Sequence, residues 1–249
     1  MSESPVTLKR VPVRMHLPPT CERVTPVIRA RRTWEPAVTQ WLLEGLRSGD
    51  TFVDVGAHVG YFTLIAAKIV GEEGRVFAFE PDPGNFAILR RNVELNGFRN
   101  VVLENRAAAA RAETCRLYLS VKNTGDHRLA PADEPRSSVG VSAVRLDTVL
   151  KGIGRVDFLK VDTQGAEVAV LTGARHLLRT NAGLRLVVEF WPYGLDRFGA
   201  TGTALLNTLA SCDFLMGKEE MARLLSTYTV ENRRHTNLML SRPRFEVPS

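Results

Sequence analysis

The 249-residue chain has few cysteines and no long apolar run. A membrane-spanning helix needs about 20 consecutive apolar residues, and because no segment approaches that length we expect no membrane association. The three cysteines, Cys21, Cys115 and Cys212, are far apart and odd in number. This suits reduced thiols in a cytoplasm better than a disulfide framework or a structural zinc site. The N-terminus also lacks the apolar segment of a secretory signal, so we expect a cytoplasmic protein.

Concentrated positive charge is also missing. The formal net charge is +6, but the arginines are scattered and no basic run is interleaved with aromatic residues. Nucleic acid is therefore a disfavoured partner. The length fits one α/β domain better than two. We place an irregular or hairpin-like lead-in at residues 1–33 and the domain at residues 34–249, and we leave open whether the protein forms a homo-oligomer.

Most of the chain alternates short buried strands with amphipathic helices. A helix is predicted over residues 35–46, with Thr33 as its cap, and the alternation then runs through TFVDV, YFTLIAAKIV, RVFAFE, GNFAILRRNVELN and VVLEN. After a break at about 115–145, where CRLYLSV and SVGVSAVRL flank a polar loop, it resumes with RVDFLKVD, EVAVLTGARHLL and LRLVVEF. The chain closes with a helix near TALLNTLASC and a strand pair around TNLMLSR. This pattern indicates βαβ units and a parallel sheet with helices on both faces.

A glycine turn lies between the first core strand and its helix. The strand TFVDV leads directly into Gly56-Ala57-His58-Val59-Gly60, and glycine there permits a tight turn and a close approach of backbone to ligand. A dinucleotide site would need glycine in place of His58 to seat a pyrophosphate, so an NAD enzyme is disfavoured. S-adenosylmethionine has no phosphate and carries a cationic sulfur, and Asp54 at the strand end suits it.

A second acid follows the next core strand. Glu80, before Pro81, lies 24 residues beyond Gly56, close to where an acidic side chain accepts hydrogen bonds from ribose hydroxyls. Either feature alone is weak, because such turns and exposed acids are common. Together, in the strand and helix order of this chain, they predict an S-adenosylmethionine site.

Three segments carry a resemblance to a known family. VDVGAHVGYFTLIAA, FEPDPGNFAILRRNVELNG and VDFLKVDTQGAEVAVLTGA resemble the motifs of FkbM-type methyltransferases and occur in that family's order. The resemblance runs from about Trp34 to Trp191. It implies an α/β class I methyltransferase (Rossmann-like) fold, which is a three-layer sandwich around a seven-stranded, mostly parallel sheet with a reversed last strand. It also implies methyl transfer, usually to an oxygen.

The resemblance assigns cofactor roles by position. It implies that Asp54, Gly56 and Gly60 hold the methionine moiety, that Glu80 binds the ribose and that Asn105 lies near the adenine. His58 is expected as a wall of the pocket. The predicted cofactor-binding set is Asp54, Gly56, Ala57, His58, Gly60, Glu80, Pro81 and Asn105.

The acceptor site is predicted at the carboxyl ends of the later strands, where open α/β sheets bind ligands. Asp162 follows LKV and matches the family's motif after the fourth core strand, so it is a candidate catalytic residue, although an Asp before a helix is often a cap. Glu189 and Trp191 end the next strand and are expected to contact the acceptor. Asp162 and Glu189 could recruit a divalent ion, but no recognisable metal spacing is present, and we expect no metal.

The loop from Asn123 to Arg128 resembles a motif of a family subgroup. His127 has the unperturbed pKa nearest neutrality and suits deprotonation of a hydroxyl, so it is the predicted catalytic base. Asp126 would orient it, or Arg128 would contact an anionic acceptor, and Asn123 completes the predicted substrate-binding loop. The remaining histidines, His16, His176 and His235, are read as surface residues.

The leading hypothesis is an S-adenosylmethionine-dependent methyltransferase that methylates a hydroxyl on a small-molecule acceptor, such as a secondary metabolite or a sugar. A nucleic-acid methyltransferase, supported only by the basic charge, is one alternative. Base methylation would favour an Asn/Asp-Pro-Pro-Tyr/Phe-like motif where this chain has KVDTQG. A non-catalytic cofactor-binding regulatory subunit is the other alternative.

Overall fold

The computed structural model describes residues 4–19 and 21–242. The strands, in chain order β1 to β11, are Val6–Thr7, Arg14–Met15, Thr51–Val55, Arg75–Phe79, Val101–Glu104, Ala107–Ala108, Glu113–Tyr118, Ser138–Val144, Phe158–Val161, Arg185–Phe190 and Thr236–Ser241. The helices, α1 to α10, are Val24–Arg31, Pro36–Gly45, Tyr61–Val70, Pro83–Leu95, Leu146–Val149, Glu167–Gly173, Arg175–Thr180, Pro192–Arg197, Gly202–Ala210 and Lys218–Thr227.

The predicted mostly parallel sheet is confirmed. Its strand order is β11-β10-β9-β3-β4-β5, and only β11 runs antiparallel, against β10. Successive residues of β3 serve the two faces: Phe52 packs with the helices of one side and Val53 with those of the other. Such burial on both faces explains the near-continuous apolar strands, and it produces the predicted three layers.

The strand count differs from the expected seven. Within the described ranges this sheet has six strands, and the chain between β10 and β11 forms α8, α9 and α10 without a strand. The expected reversed strand is β11, which therefore pairs directly with β10 instead of with a further parallel strand. The terminal strand pair predicted around TNLMLSR is this single strand and its partner β10.

Two helix predictions need local corrections. Thr33 does not cap α2, because Glu35 occupies the cap position with a left-handed φ of 38°. The helix predicted over EVAVLTGARHLL is divided into α6 and α7 at Ala174, which is fully buried. Neither change alters which side of the sheet these segments cover.

The lead-in packs on the domain. β1 and β2 form the expected hairpin, and Met15 and Ile28 are fully buried in the same apolar core as α3. A separate three-stranded sheet, ordered β6-β8-β7, carries the loop that contains a single 3-10 turn at Thr124–Asp126. No helix of the described residues is long and apolar enough to cross a membrane.

Candidate active site

The glycine turn after β3 has the tight geometry that its sequence predicts. Gly56 has a φ of 78°, and a Cβ there would lie 1.8 Å from the carbonyl oxygen of Asp162. Gly60 begins α3 with a φ of 97°, and its missing Cβ makes room for Leu89. Between them His58 has a φ of 51°, which is uncommon for a residue with a side chain. The turn is therefore held by close packing on two sides.

A cavity of about 540 Å³ opens at the carboxyl ends of the parallel strands. Its size is within the roughly 300–1,000 Å³ typical of small-molecule sites. Most of the predicted site residues line it, namely Gly56, Ala57, His58, Glu80, Pro81, Asn123, Asp126, His127, Arg128, Asp162, Glu189 and Trp191. Three predicted cofactor residues, Asp54, Gly60 and Asn105, are outside this lining.

Asp54 lies behind the cavity wall and is fully buried. One carboxylate oxygen accepts a 2.6 Å hydrogen bond from Thr63, and the other is 3.7 Å from the ammonium of Lys160. Lys160 is itself buried and contacts Asp162 at 3.3 Å. Although burial opposes its charge, the neighbouring carboxylates hold the pKa of Lys160 above its usual value. Lys160 thus separates Asp54 from the cavity.

Glu80 lines the cavity beside the glycine turn. Its two oxygens accept hydrogen bonds from the backbone N–H groups of His58 at 2.8 Å and Asp82 at 2.9 Å. Burial raises the pKa of the Glu80 carboxyl to about 7. Asn105 is exposed and donates to the carbonyls of Glu80 and Pro81. Glu80 therefore fixes the turn and keeps lone pairs for a ligand, whereas Asn105 holds backbone.

The loop after β7 is tied to the glycine turn. The Nε2 atom of His58 is 2.7 Å from the Thr124 hydroxyl, and Asn85 donates to the Thr124 carbonyl at 2.9 Å. Burial lowers the pKa of His58 to about 3, so the ring is neutral. His58 lines the cavity, and it also anchors the loop.

His127 is not arranged as a base. Its Nδ1 accepts a hydrogen bond from the backbone N–H of Ser120 at 3.0 Å, which places the proton of the neutral ring on Nε2. Burial lowers its pKa. Asp126 does not orient it, because the Asp126 carboxylate accepts a two-pronged ion pair from Arg128 and a further bond from Arg136.

A second histidine on the acceptor side is paired with an acid. The Nδ1 atom of His235, just before β11, lies 2.9 Å from a carboxylate oxygen of Glu189. Gln164 donates to Glu189 at 3.1 Å and to Asp162 at 2.8 Å. Burial raises the pKa of Glu189 to about 8, and the hydrogen bond to Glu189 raises the pKa of His235. His235 is exposed, as expected, but it lines the cavity.

Sequence reasoning missed three residues of this wall: Glu35, Lys160 and His235. Glu35 has one buried oxygen that lacks a hydrogen-bond partner among the described residues, and burial raises its pKa to about 7. A lysine inside the apolar strand FLKV is a signal that could have been read, because a buried lysine needs carboxylate partners. The other two depend on pairings distant in sequence.

The cavity fits a cationic cofactor. Glu80 and the small residues of the turn line one side, and Glu35, Asp162 and Glu189 place carboxyl groups elsewhere in the lining. An ionised carboxylate among them would stabilise a sulfonium charge. Across the ranges that the structure describes, no group of three or more His, Cys, Asp or Glu side chains could hold a metal ion.

The fold and the site define a class I methyltransferase that uses S-adenosylmethionine. A model of the methyltransferase FkbM domain matches residues 54–216, and the chain belongs to that family.

Two curated relatives with different acceptors in their names illustrate the similarity. The chain is 33% identical over 158 residues to the 31-O-demethyl-FK506 methyltransferase FkbM of Streptomyces tacrolimicus, covering 51% of this chain and 60% of that protein. It is 27% identical over 150 residues to a probable cobalt-precorrin-6B C(15)-methyltransferase (decarboxylating) of Sulfurisphaera tokodaii, covering 57% and 76%. Among solved structures, SMU.1697c of Streptococcus mutans, a putative methyltransferase in complex with SAH, has a TM-score of 0.49 at 14% identity, covering 83% of this chain and 96% of that one.

Proposed function

We propose that the protein transfers the methyl group of S-adenosylmethionine to a hydroxyl oxygen of a small molecule, with His235 as the base. The observation that carries this proposal is the His235–Glu189 hydrogen bond in the cavity wall. An oxygen acceptor must lose a proton when it is methylated, and a positioned histidine is the commonest group for that task. The names of the two relatives specify an oxygen acceptor in one case and a carbon acceptor in the other, so they are compatible with the proposal without selecting it.

The hydrogen bond between His235 and Glu189 can hold the histidine in the tautomer that a base requires. We assign a proton to Nδ1 of His235, which donates to the ionised Glu189 carboxylate and leaves the Nε2 lone pair available. Glu189 is buried and also accepts from Gln164, so its position is fixed. His127 lacks this arrangement, since its Nδ1 lone pair is engaged by Ser120, and in our proposal it contributes to the wall.

The residues proposed to bind the cofactor are mostly on the side of the cavity formed by the glycine turn. Bound S-adenosylmethionine supplies a methyl carbon activated by its sulfonium. We propose that Gly56 and Ala57 contact the methionine moiety through backbone, that Glu80 accepts the ribose hydroxyls, and that Asp162 faces the sulfonium. Asp54 acts indirectly, through Lys160.

The proposal is tested by identifying the product. Protein is incubated with 13C-methyl-labelled cofactor and a fractionated cell extract, and the chemical shift of the labelled methyl carbon distinguishes oxygen from carbon or nitrogen acceptors. A carbon- or nitrogen-bound methyl group would overturn the proposal.

The base is tested on the product-forming reaction. His235→Gln should lower turnover about a hundredfold to ten-thousandfold while S-adenosylhomocysteine affinity stays unchanged. Because the hydrogen bond to Glu189 raises the pKa of His235 above 6.5, wild-type turnover should rise with pH through a midpoint above 6.5. The matched control is His176→Gln, at an exposed histidine outside the cavity lining, and equal loss in both variants would exclude His235.

A further inference from the structure

Within the part of the chain that the structure describes, one guanidinium nitrogen of Arg128 has no hydrogen-bond partner. The residue is only 7% exposed, and its Nε and Nη2 atoms donate to Asp126 at 2.6 and 2.9 Å. Nη1 is buried and has no hydrogen-bond acceptor anywhere in residues 4–19 and 21–242. An unsatisfied buried donor costs about 1–3 kcal/mol, and more when it is charged. Because Arg128 lines the cavity, a ligand can supply the missing acceptor.

The surroundings of Arg128 hold an excess of positive charge. Asp126 is shared, since Arg136 donates to the same carboxylate at 2.8 Å. Arg136 also pairs with Glu134, but that carboxylate is 59% exposed and largely screened by water. Arg233 adds another guanidinium to the cavity lining, and its carboxylate partner Asp133, at 2.9 Å, is 43% exposed and shared with Arg197. The Asp126 carboxylate, 17% exposed, therefore compensates two guanidinium side chains that are only 8% and 4% exposed, and a further anion would be stabilised.

Aromatic rings fix the guanidinium in place. Its Cζ atom lies 4.5 Å from the ring centre of Trp191 and 5.7 Å from that of Tyr193, so the plane is stacked as well as paired. The same indole ring of Trp191 lies 6.4 Å from the His235 ring. Arg128 and His235 thus adjoin the same Trp191 ring and line the same cavity, so a single small molecule can contact both.

We propose that Nη1 of Arg128 binds a carboxylate of the methyl acceptor, which makes the acceptor a hydroxy acid. This inference rests on the proposed function only in assigning the methylated hydroxyl to His235. Charge-assisted hydrogen bonds to a guanidinium are about twice as strong as neutral ones, so a carboxylate satisfies both the orphaned donor and the excess charge. A neutral oxygen would satisfy only the donor.

The first test uses wild-type protein and two matched pairs of probes: 4-hydroxybenzoate with 4-hydroxybenzamide, and D-glucuronate with D-glucuronamide. Ligand-observed NMR titrations, without methyl donor, should give millimolar binding of at least one acid. That acid should bind about tenfold or more tightly than its amide, and added salt should reduce the difference. Equal affinity within each pair, or no binding of either acid at millimolar concentration, would overturn the proposal.

The second test locates the preference. Arg128→Gln should abolish the advantage of the acid over the amide, and Arg128→Lys, which keeps the charge opposite Asp126 but not the Nη1 donor, should remove most of it. The control is Arg116→Gln, an equal charge change at an exposed residue of β7 outside the cavity lining. An acid preference that survives in Arg128→Lys would place the anion elsewhere and overturn the proposal.

The outcomes also separate this inference from the proposed function. Binding is measured without turnover, so an acid preference can be found in a protein that methylates carbon. Conversely, an oxygen-bound product from a neutral acceptor would support the proposed function and refute the carboxylate subsite.

Discussion

The buried pair of Asp54 and Lys160 allows a quantitative prediction for the variant Lys160→Met. Methionine has a similar length and leaves no large cavity, so the main loss is the positive charge that faces Asp54 at 3.7 Å. Asp54 is fully buried and would have to be protonated. Counted from the ordinary carboxyl pKa of 3.8, protonation costs at most about 4 kcal/mol at pH 7 and about 1.6 kcal/mol at pH 5. These are upper limits because burial already raises the pKa of Asp54 in the wild type.

We therefore expect Lys160→Met to lower the free energy of unfolding by about 3–4 kcal/mol at pH 7, a range that also agrees with broken buried ion pairs generally. At pH 5 the loss should be about 2 kcal/mol. The measurement is urea-induced unfolding followed by tryptophan fluorescence at both pH values. The matched control is Lys151→Met, at an exposed lysine, which should change stability by less than about 0.5 kcal/mol.

The double variant with Asp54→Asn tests the cause. Asparagine keeps an oxygen that can accept the Thr63 hydrogen bond but needs no counter-charge. Asp54→Asn should therefore recover at least about 1 kcal/mol of the stability lost in Lys160→Met at pH 7. A loss in Lys160→Met that is independent of pH, or that Asp54→Asn leaves unchanged, would refute the reasoning.

Three other variants test the cofactor side of the site. Gly56→Ala should lower the free energy of unfolding by more than about 3 kcal/mol and abolish S-adenosylhomocysteine binding in calorimetry, because its Cβ would meet a backbone oxygen at 1.8 Å. The control Gly97→Ala, with a φ of 67° and open space around it, should lose only the roughly 1–2 kcal/mol that a left-handed backbone costs a residue with a side chain. Burial raises the pKa of Glu80 from 4.5 to about 7, so the folded state holds this proton more tightly than the unfolded state does. The stability that this provides is complete below pH 4.5, and up to about 3 kcal/mol of it is lost as the pH rises to 7. Neutral buried His58 has the opposite pH effect, so the test is the difference between wild type and Glu80→Gln in urea unfolding, and a difference independent of pH would contradict it. Asp162→Asn should weaken the binding of S-adenosylmethionine more than that of its uncharged thioether product, S-adenosylhomocysteine, by about 1–3 kcal/mol. Equal weakening of both in calorimetry would place the attraction for the sulfonium elsewhere.

The local parts of the site could be predicted from the sequence. The turn around Gly56 is contiguous in the chain, and its strand, turn and helix order leaves few other conformations for those residues. The parallel sheet follows from the alternation of apolar strands and amphipathic helices. The six-stranded outcome could not be predicted, because whether the segment between β10 and β11 forms a strand or only helices is decided by packing against the sheet edge.

The pairings that define the acceptor side depend on distant segments. His235 is 46 residues from Glu189, and the two meet because β11 pairs with β10 in the register that places Thr236 opposite Phe190. His58 and Thr124 are 66 residues apart and lie in loops that follow strands of different sheets. A histidine in a polar loop and a histidine before a terminal strand look alike in sequence, and only this register distinguishes them.

The sequence predicts that Asp54, at the end of β3 beside the glycine turn, contacts the cofactor, whereas its partners in the structure are Thr63 and Lys160. A carboxylate at a strand end beside a glycine turn would attract a sulfonium if it faced the cavity. Asp54 instead faces the only strand residue of FLKV that carries a charge, and that ammonium also contacts Asp162. One cation between two carboxylates leaves a single net negative charge. Of Asp54, Lys160 and Asp162, only Asp162 has appreciable solvent access, with 23% of its side chain exposed. In our proposal the attraction for a cationic sulfur therefore originates at the end of β9, one strand away from where the motif places it, and Asp54 contributes by holding Lys160 in its buried position beside Asp162.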